Sequence, residues 1–217
     1  MLCHLSYYRD YLAKITKNHS AFISLQENIP MPFPNLMILV TFILLWISFF
    51  IWGARYRGKG IKFWGKPTID NRYFLSGKIC LFSSWALLLL KAMLPEWTWN
   101  PVPEGVAWFA ALLNCAGSVI MLVAFFHLGS SIRVGLPETD TTLQTSGIYS
   151  LSRNPIYLGI FLICIASCLF FPNPVNIALT VYGMYMHHRI IVAEEKFLAN
   201  RFGKAWEDYT SRVRRYL

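Results

Sequence analysis

Charge is scarce in this sequence. Only 14% of its 217 residues are Asp, Glu, Lys or Arg, while 55% are hydrophobic. A soluble domain carries roughly 25% charged residues, so a wet globular surface is excluded. Acids are scarcer still, 11 against 20 Lys and Arg, for a formal charge of +9. That balance does not indicate nucleic-acid binding, because the basic residues flank apolar runs instead of forming a stripe; positive-inside topology and attraction to anionic lipid account for them. Paired cysteines are absent too. Cys3, Cys80, Cys115, Cys164 and Cys168 include no Cys-x-x-Cys, and Cys164 and Cys168 lack neighbouring His or carboxylate partners. They read as small apolar residues, and no metal site is expected. Internal repeats and low-complexity tracts are missing. Residues 1–34, with Arg9, Lys14 and Lys17 among Tyr and Leu, do not read as a signal peptide, since the first long apolar run begins only near residue 35.

What is present is an alternation of apolar spans and charged loops. Five spans are expected, over residues 35–52, 73–94, 105–128, 155–171 and 175–192. The fold class is therefore all-α, a polytopic integral membrane protein. Residues 1–34 form an N-terminal segment that reads as an interfacial helix ended by Pro30, Pro32 and Pro34, and residues 35–217 form the membrane domain. The loop 53–72 carries Arg55, Arg57, Lys59, Lys62, Lys66 and Arg72 against Asp70, and the tail 193–217 is also basic. Both are placed in the cytosol, and the Lys- and Arg-free loop 95–104 opposite. Lys78 and Lys91 are expected to snorkel to opposite faces. Pro172-Asn173-Pro174 should turn the last two spans into a hairpin.

The stretch 147–159, GIYSLSRNPIYLG, enters the fourth span from the cytosolic side. Asn154 reads as an N-cap and Pro155 as the first helical residue. Arg153 stands just before that helix start, where free backbone N–H groups and the dipole favour an anion. On local chemistry alone, a boundary arginine obeying the charge bias outweighs a binding role. Glu194 and Glu195 close the last span. Adjacent helical residues point about 100° apart, so one can face a site while the other holds Arg153 or another base. Acids near a helix C-terminus are disfavoured by the dipole unless the helix continues or a cation sits close. His187, His188 and Arg189 lie inside the span, where ionisable groups usually face a cavity; their spacing lacks the i, i+4 His pair of helical zinc sites.

The pattern Gly147-x-Tyr149-x-x-x-Arg153-x-Pro155-x-Tyr157-x-Gly159 resembles the signature of the isoprenylcysteine carboxyl methyltransferase and phospholipid methyltransferase superfamily. A second block, Glu194-Glu195 followed by Phe202-Gly203, Trp206, Tyr209 and Val213, is similar to that superfamily's C-terminal block. His127-Leu128-Gly129 and Arg133-Val134-Gly135 look like its prokaryotic branch. Many members have His where Asn154 stands. The resemblance implies S-adenosylmethionine as cofactor, held on the cytosolic side by His127, Gly147, Tyr149, Arg153, Asn154, Pro155, Tyr157, Glu194 and Glu195. It also implies functional roles for Arg153, Glu194 and Glu195 in methyl transfer. Arg153 is the candidate for the cofactor carboxylate, and a Glu for its cationic end. Trp206 and Tyr209 either cover a nucleoside or rest on lipid as part of an amphipathic helix.

The expected activity is methyl transfer to a lipophilic acceptor, with an isoprenylcysteine-type carboxylate favoured over a phospholipid amine or a small thiol. A nicotinamide-dependent sterol-reductase-like enzyme and a non-catalytic membrane protein are the competing classes. A bacterial inner membrane fits the compact chain, and an internal eukaryotic membrane also suits it.

Overall fold

The computed structural model describes residues 31–57, 67–97, 99–128 and 142–217. Arg133, most of the N-terminal segment and parts of the 53–72 and 129–154 loops fall outside them. The described residues of the unit Phe33–Leu217 are mostly helical, with no strand among them. The helices are α1 (Phe33–Arg57), α2 (Asn71–Met93), α3 (Glu104–Leu128), α4 (Pro155–Phe170), α5 (Pro174–Phe202) and α6 (Lys204–Thr210). A 3₁₀ turn, Gly147–Ser150, precedes α4.

Local chemistry sets the starts. Asp70 caps α2 by accepting the Arg72 N–H at 2.9 Å. Asn173 caps α5 by accepting the Val175 N–H at 2.9 Å, with Pro174 at the start of the helix. Gly203, at φ +50°, ends α5 and lets the chain restart as α6, a conformation that suits a residue without Cβ.

Three helices, α1, α2 and α3, are long and apolar enough to cross a membrane, and the protein is an all-α integral membrane protein. The 16-residue α4 is shorter; at 1.5 Å per residue it extends about 24 Å against a hydrocarbon core of about 30 Å. The apolar part of α5, residues 175–192, runs without a break into a charged continuation, so the helix reaches 29 residues. Glu194 and Glu195 thus lie inside the helix, away from its C-terminal dipole end.

Packing partners are chosen by glycine. A Cβ on Gly117 would stand 2.6 Å from the Gly159 carbonyl oxygen, and one on Gly159 would stand 2.5 Å from that of Gly117. The α3 and α4 backbones therefore touch. Gly77 of α2 receives Met186 of α5, and Gly183 of α5 lies against Leu81 of α2. The close pairs are thus α3 with α4 and α2 with α5, while α4 and α5 meet mainly through side chains near the motif blocks and at their turn. A buried polar knot joins α2, α4 and α5. Ser84 donates to Asn176 Oδ1 at 2.8 Å, and Asn176 donates to the Ser167 and Phe171 carbonyls at 3.0 and 2.9 Å. Thr180 bonds Ser84 at 2.7 Å. Lys91 is buried and donates to the Pro95 carbonyl, at the end of α2 that leads into the 95–104 loop.

Candidate functional site

The two sequence blocks meet at Glu195. Its Oε1 accepts the Asn154 side-chain amide at 3.0 Å and lies 3.5 Å from a terminal nitrogen of Arg153. Its Oε2 accepts Nε and a terminal nitrogen of Arg215 at 3.0 and 2.8 Å. Glu195 and Arg153 are largely enclosed, with side chains 11% and 13% exposed. A buried carboxylate needs such compensation, since desolvating a lone charge costs several kcal/mol. The Arg153 guanidinium lies over the Trp206 ring at 5.7 Å. Its Nε is buried and finds no partner among the described residues.

Glu194 does different work. Both its carboxylate oxygens lie 3.1 Å from the Tyr157 hydroxyl, which donates to them. The Tyr157 ring lies 6.1 Å from that of His187. Desolvation by the surrounding protein pushes the Glu194 carboxyl up to about 7, against the opposing pull of the Tyr157 hydroxyl and the Lys78 ammonium. Glu194 is thus poised to ionise near neutrality, whereas Glu195 is tied into ion pairs.

The turn that carries Tyr149 is locked from two sides. Gly147 adopts φ +64°, and a Cβ there would come within 2.0 Å of the His127 ring. His127, its Nδ1 2.9 Å from the Val123 carbonyl, thereby seats the end of α3 against the turn. The buried Tyr149 offers its carbonyl to the Tyr209 hydroxyl, which donates at 2.6 Å. Burial raises the Tyr149 phenol well above its ordinary value and Tyr209 to about 12, so both remain protonated.

Several expectations change here. Asn154 occupies the N-cap position, but its side chain makes no capping bond. Its Nδ2 donates to Glu195 Oε1 and to the Arg215 carbonyl, at 3.0 and 3.2 Å, so the side chain is oriented by the enclosed carboxylate it helps to compensate. Trp206 and Tyr209 are buried and pack on each other, not on lipid. His187 is buried and His188 pairs with the Tyr216 hydroxyl at 2.8 Å, but Arg189 is exposed and donates to the Tyr185 hydroxyl. Helical rotation of about 100° per residue turns Arg189 away from the polar cluster.

The sequence assigns no site role to Ser152, to Lys78, which it marks only as a snorkelling residue, or to the C-terminal Arg214, Arg215 and Tyr216. Ser152 donates to the Arg215 carbonyl at 3.3 Å, and the Arg153 N–H donates to the Arg214 carbonyl at 3.0 Å. A basic tail reads locally as topology signal, and only the Glu195 partner distinguishes Arg215 from its neighbours. Among the described residues, no group of three or more His, Cys, Asp or Glu is arranged to hold a metal ion.

Comparison with known proteins locates the same region. A family model described as phospholipid methyltransferase matches residues 106–205, which include the 147–159 stretch, Glu194 and Glu195. The chain is similar to proteins named protein-S-isoprenylcysteine O-methyltransferase. It is 26% identical over 151 residues to that of Dictyostelium discoideum, covering 67% of this chain and 64% of the relative. It is 32% identical over 144 residues to that of Rattus norvegicus, covering 62% and 48%. It is 35% identical over 89 residues to that of Saccharomyces cerevisiae, covering 40% and 37%. The match thus spans less than two thirds of each of these relatives. Both motif blocks fold onto one carboxylate, and the family match, which takes in the 147–159 stretch and the Glu194-Glu195 pair, places residues 106–205 in the superfamily of isoprenylcysteine carboxyl methyltransferases and phospholipid methyltransferases.

Proposed function

We propose that this protein is a membrane-embedded methyltransferase that uses S-adenosylmethionine and acts on a lipophilic acceptor, an isoprenylcysteine-type carboxylate in the favoured case. The observation that carries the reading is the Arg153 environment: among the described residues, a largely enclosed guanidinium over the Trp206 ring with one long ion pair, to Glu195, and an unpartnered buried Nε. Such a group is suited to a ligand carboxylate, which binds a guanidinium through paired hydrogen bonds. Glu194 supplies the complementary acceptor for a cationic group, and Tyr149, Tyr157 and Trp206 supply ring faces.

Adenosylmethionine supplies an electrophilic methyl group carried on sulfonium. The protein's own work is binding and alignment. Arg153, just before α4, anchors an anionic end, and Glu194 of α5 faces a cationic one. A carboxylate acceptor is already ionised and needs no general base, so alignment and exclusion of water dominate. For an amine or thiol acceptor, Glu194 is the group placed to take a proton. The charge asymmetry favours a cytosolic site, with a soluble donor entering from water and a greasy acceptor from the bilayer; a bacterial inner membrane is the favoured location. The relatives' printed activity supports the carboxylate over the amine.

Purified protein in lipid nanodiscs should bind adenosylmethionine and not a nicotinamide cofactor, and should transfer labelled methyl to a farnesylcysteine analogue. Arg153→Ala should weaken adenosylmethionine by tens-fold, or about 2 kcal/mol, between the values for exposed and buried charge pairs. Arg153→Lys should be milder, keeping charge but not the planar fork. Arg215 and Asn154 still hold Glu195 in both variants, so folding should survive. Wild-type affinity in folded Arg153→Ala would refute the anchor and leave a boundary arginine.

A further inference from the structure

The last residues of the chain do more than trail from α6. The Arg214 carbonyl accepts the Arg153 backbone N–H at 3.0 Å. The Arg215 carbonyl accepts the Asn154 amide at 3.2 Å and the Ser152 hydroxyl at 3.3 Å. Tyr216 packs on Phe161 of α4, ring centroids 5.8 Å apart, and its hydroxyl sits 2.8 Å from His188 Nδ1 of α5. Residues 214–216 are therefore strapped across the start of α4 and the flank of α5.

The strap delivers Arg215 to Glu195. Two of its nitrogens hold Oε2, while Asn154 holds Oε1 at 3.0 Å. Arg153 is left with one ion-pair contact, at 3.5 Å, beside the Trp206 ring. Among these three side chains, one carboxylate faces two guanidiniums, leaving a net positive charge. The shorter pair is with Arg215, so the uncommitted cation is Arg153. Were Arg215 removed, Arg153 would become the nearest cation to an enclosed carboxylate and would close on it, because an uncompensated buried charge is costly.

We infer that the C-terminal strap completes the ligand site, with Arg215 as a positioning residue that occupies Glu195 and so keeps Arg153 open to a ligand carboxylate. The inference rests on the reading of Arg153 as carboxylate anchor. It adds that the anchor works only while the tail is docked, and that Glu195 is the internal competitor the tail must satisfy.

The test is a double-mutant cycle read by equilibrium binding in nanodiscs. The probes are adenosylmethionine and methylthioadenosine, which keeps the nucleoside but lacks the amino-acid carboxylate. Arg215→Ala should weaken adenosylmethionine by about tenfold, the scale of one charge-assisted contact, and leave methylthioadenosine unchanged. Glu195→Gln, which removes the competitor, should bind adenosylmethionine at least as tightly as wild type. The double variant should return to within about twofold of Glu195→Gln, since no carboxylate remains to capture Arg153. A merely structural Arg215 predicts instead that both probes weaken and that the second substitution adds to the loss; that result would overturn the inference. Should Arg215→Ala fail to fold, Glu195→Gln alone still decides, because weakened binding there contradicts the competitor role. Arg153→Ala separates the two levels: unchanged affinity defeats the anchor itself, whereas a loss accompanied by an inert Arg215→Ala defeats only the strap.

Discussion

Glu194 gives the proposed site a pH dependence whose sign can be worked out. Its carboxyl is pushed up to about 7, first by desolvation and despite the Tyr157 hydroxyl and Lys78. Below that value it is protonated and cannot meet a cationic ligand. Affinity for adenosylmethionine should therefore rise with pH through neutrality and level off near pH 8, falling by up to about tenfold per pH unit on the acid side. The fall should end once the neutral carboxyl's own affinity takes over, at a total of roughly tenfold to a hundredfold, the range for a hydrogen bond to a charged group. Binding near neutrality should release protons, and the release should shrink as the pH is raised, measurable by calorimetry in buffers of different ionisation enthalpy. Tyr157→Phe removes a donor that favours the ionised form, so the midpoint should move up, by about one pH unit for one charge-assisted bond. Glu194→Gln should bind weakly and without the step. Stability of the ligand-free protein should run the other way. A carboxyl raised in the fold contributes stability fully present below its ordinary value of 4.5 and lost as pH rises through about 7. A wild-type profile flat from pH 5.5 to 8, or a midpoint that Tyr157→Phe leaves in place or lowers, would refute the assignment of Glu194.

Other consequences are simpler to state. Gly159→Ala should lower the melting temperature in detergent, at a cost of about 1–3 kcal/mol for overpacking, because the new methyl meets the Gly117 carbonyl at 2.5 Å; Gly105→Ala, with nothing within 4 Å, is the control, and equal melting would contradict the α3–α4 contact. Gly147→Ala should expel the His127 ring and loosen the Tyr149 turn, seen as lost adenosylmethionine affinity with α-helical circular dichroism retained. Cysteine labelling in sealed right-side-out vesicles should modify a site at Trp99 and spare one at Lys62; the reverse pattern would invert the topology.

Much of the architecture is written locally. Apolar run length and the placement of Lys and Arg need no knowledge of neighbours, which is why the helix starts followed to within two residues, while α1 and α5 continue five and ten residues past their apolar runs. Asn173-Pro174 and Pro155 start helices because backbone geometry alone demands it. The gathering of 147–159 and 194–195 was likewise legible, since a short Pro-Asn-Pro turn returns the chain to the same face. Partner choice was not. The α4 helix lies closest to α3, and α5 to α2, because Gly117, Gly159, Gly77 and Gly183 create matched hollows, and such complementarity belongs to pairs of surfaces instead of to either sequence segment. The division between the two acids was also tertiary. Sequence spacing said that Glu194 and Glu195 diverge by about 100°, so that one can face a site while the other holds a base, but not which; Arg215, returning from beyond α6, tied Glu195 into ion pairs, and burial beside Tyr157 left Glu194 to titrate near neutrality. A residue's type is carried by the sequence, but its charge state and its free valence depend on what the fold brings within 3 or 4 Å of it, and at this site that neighbour is 20 residues away in the chain.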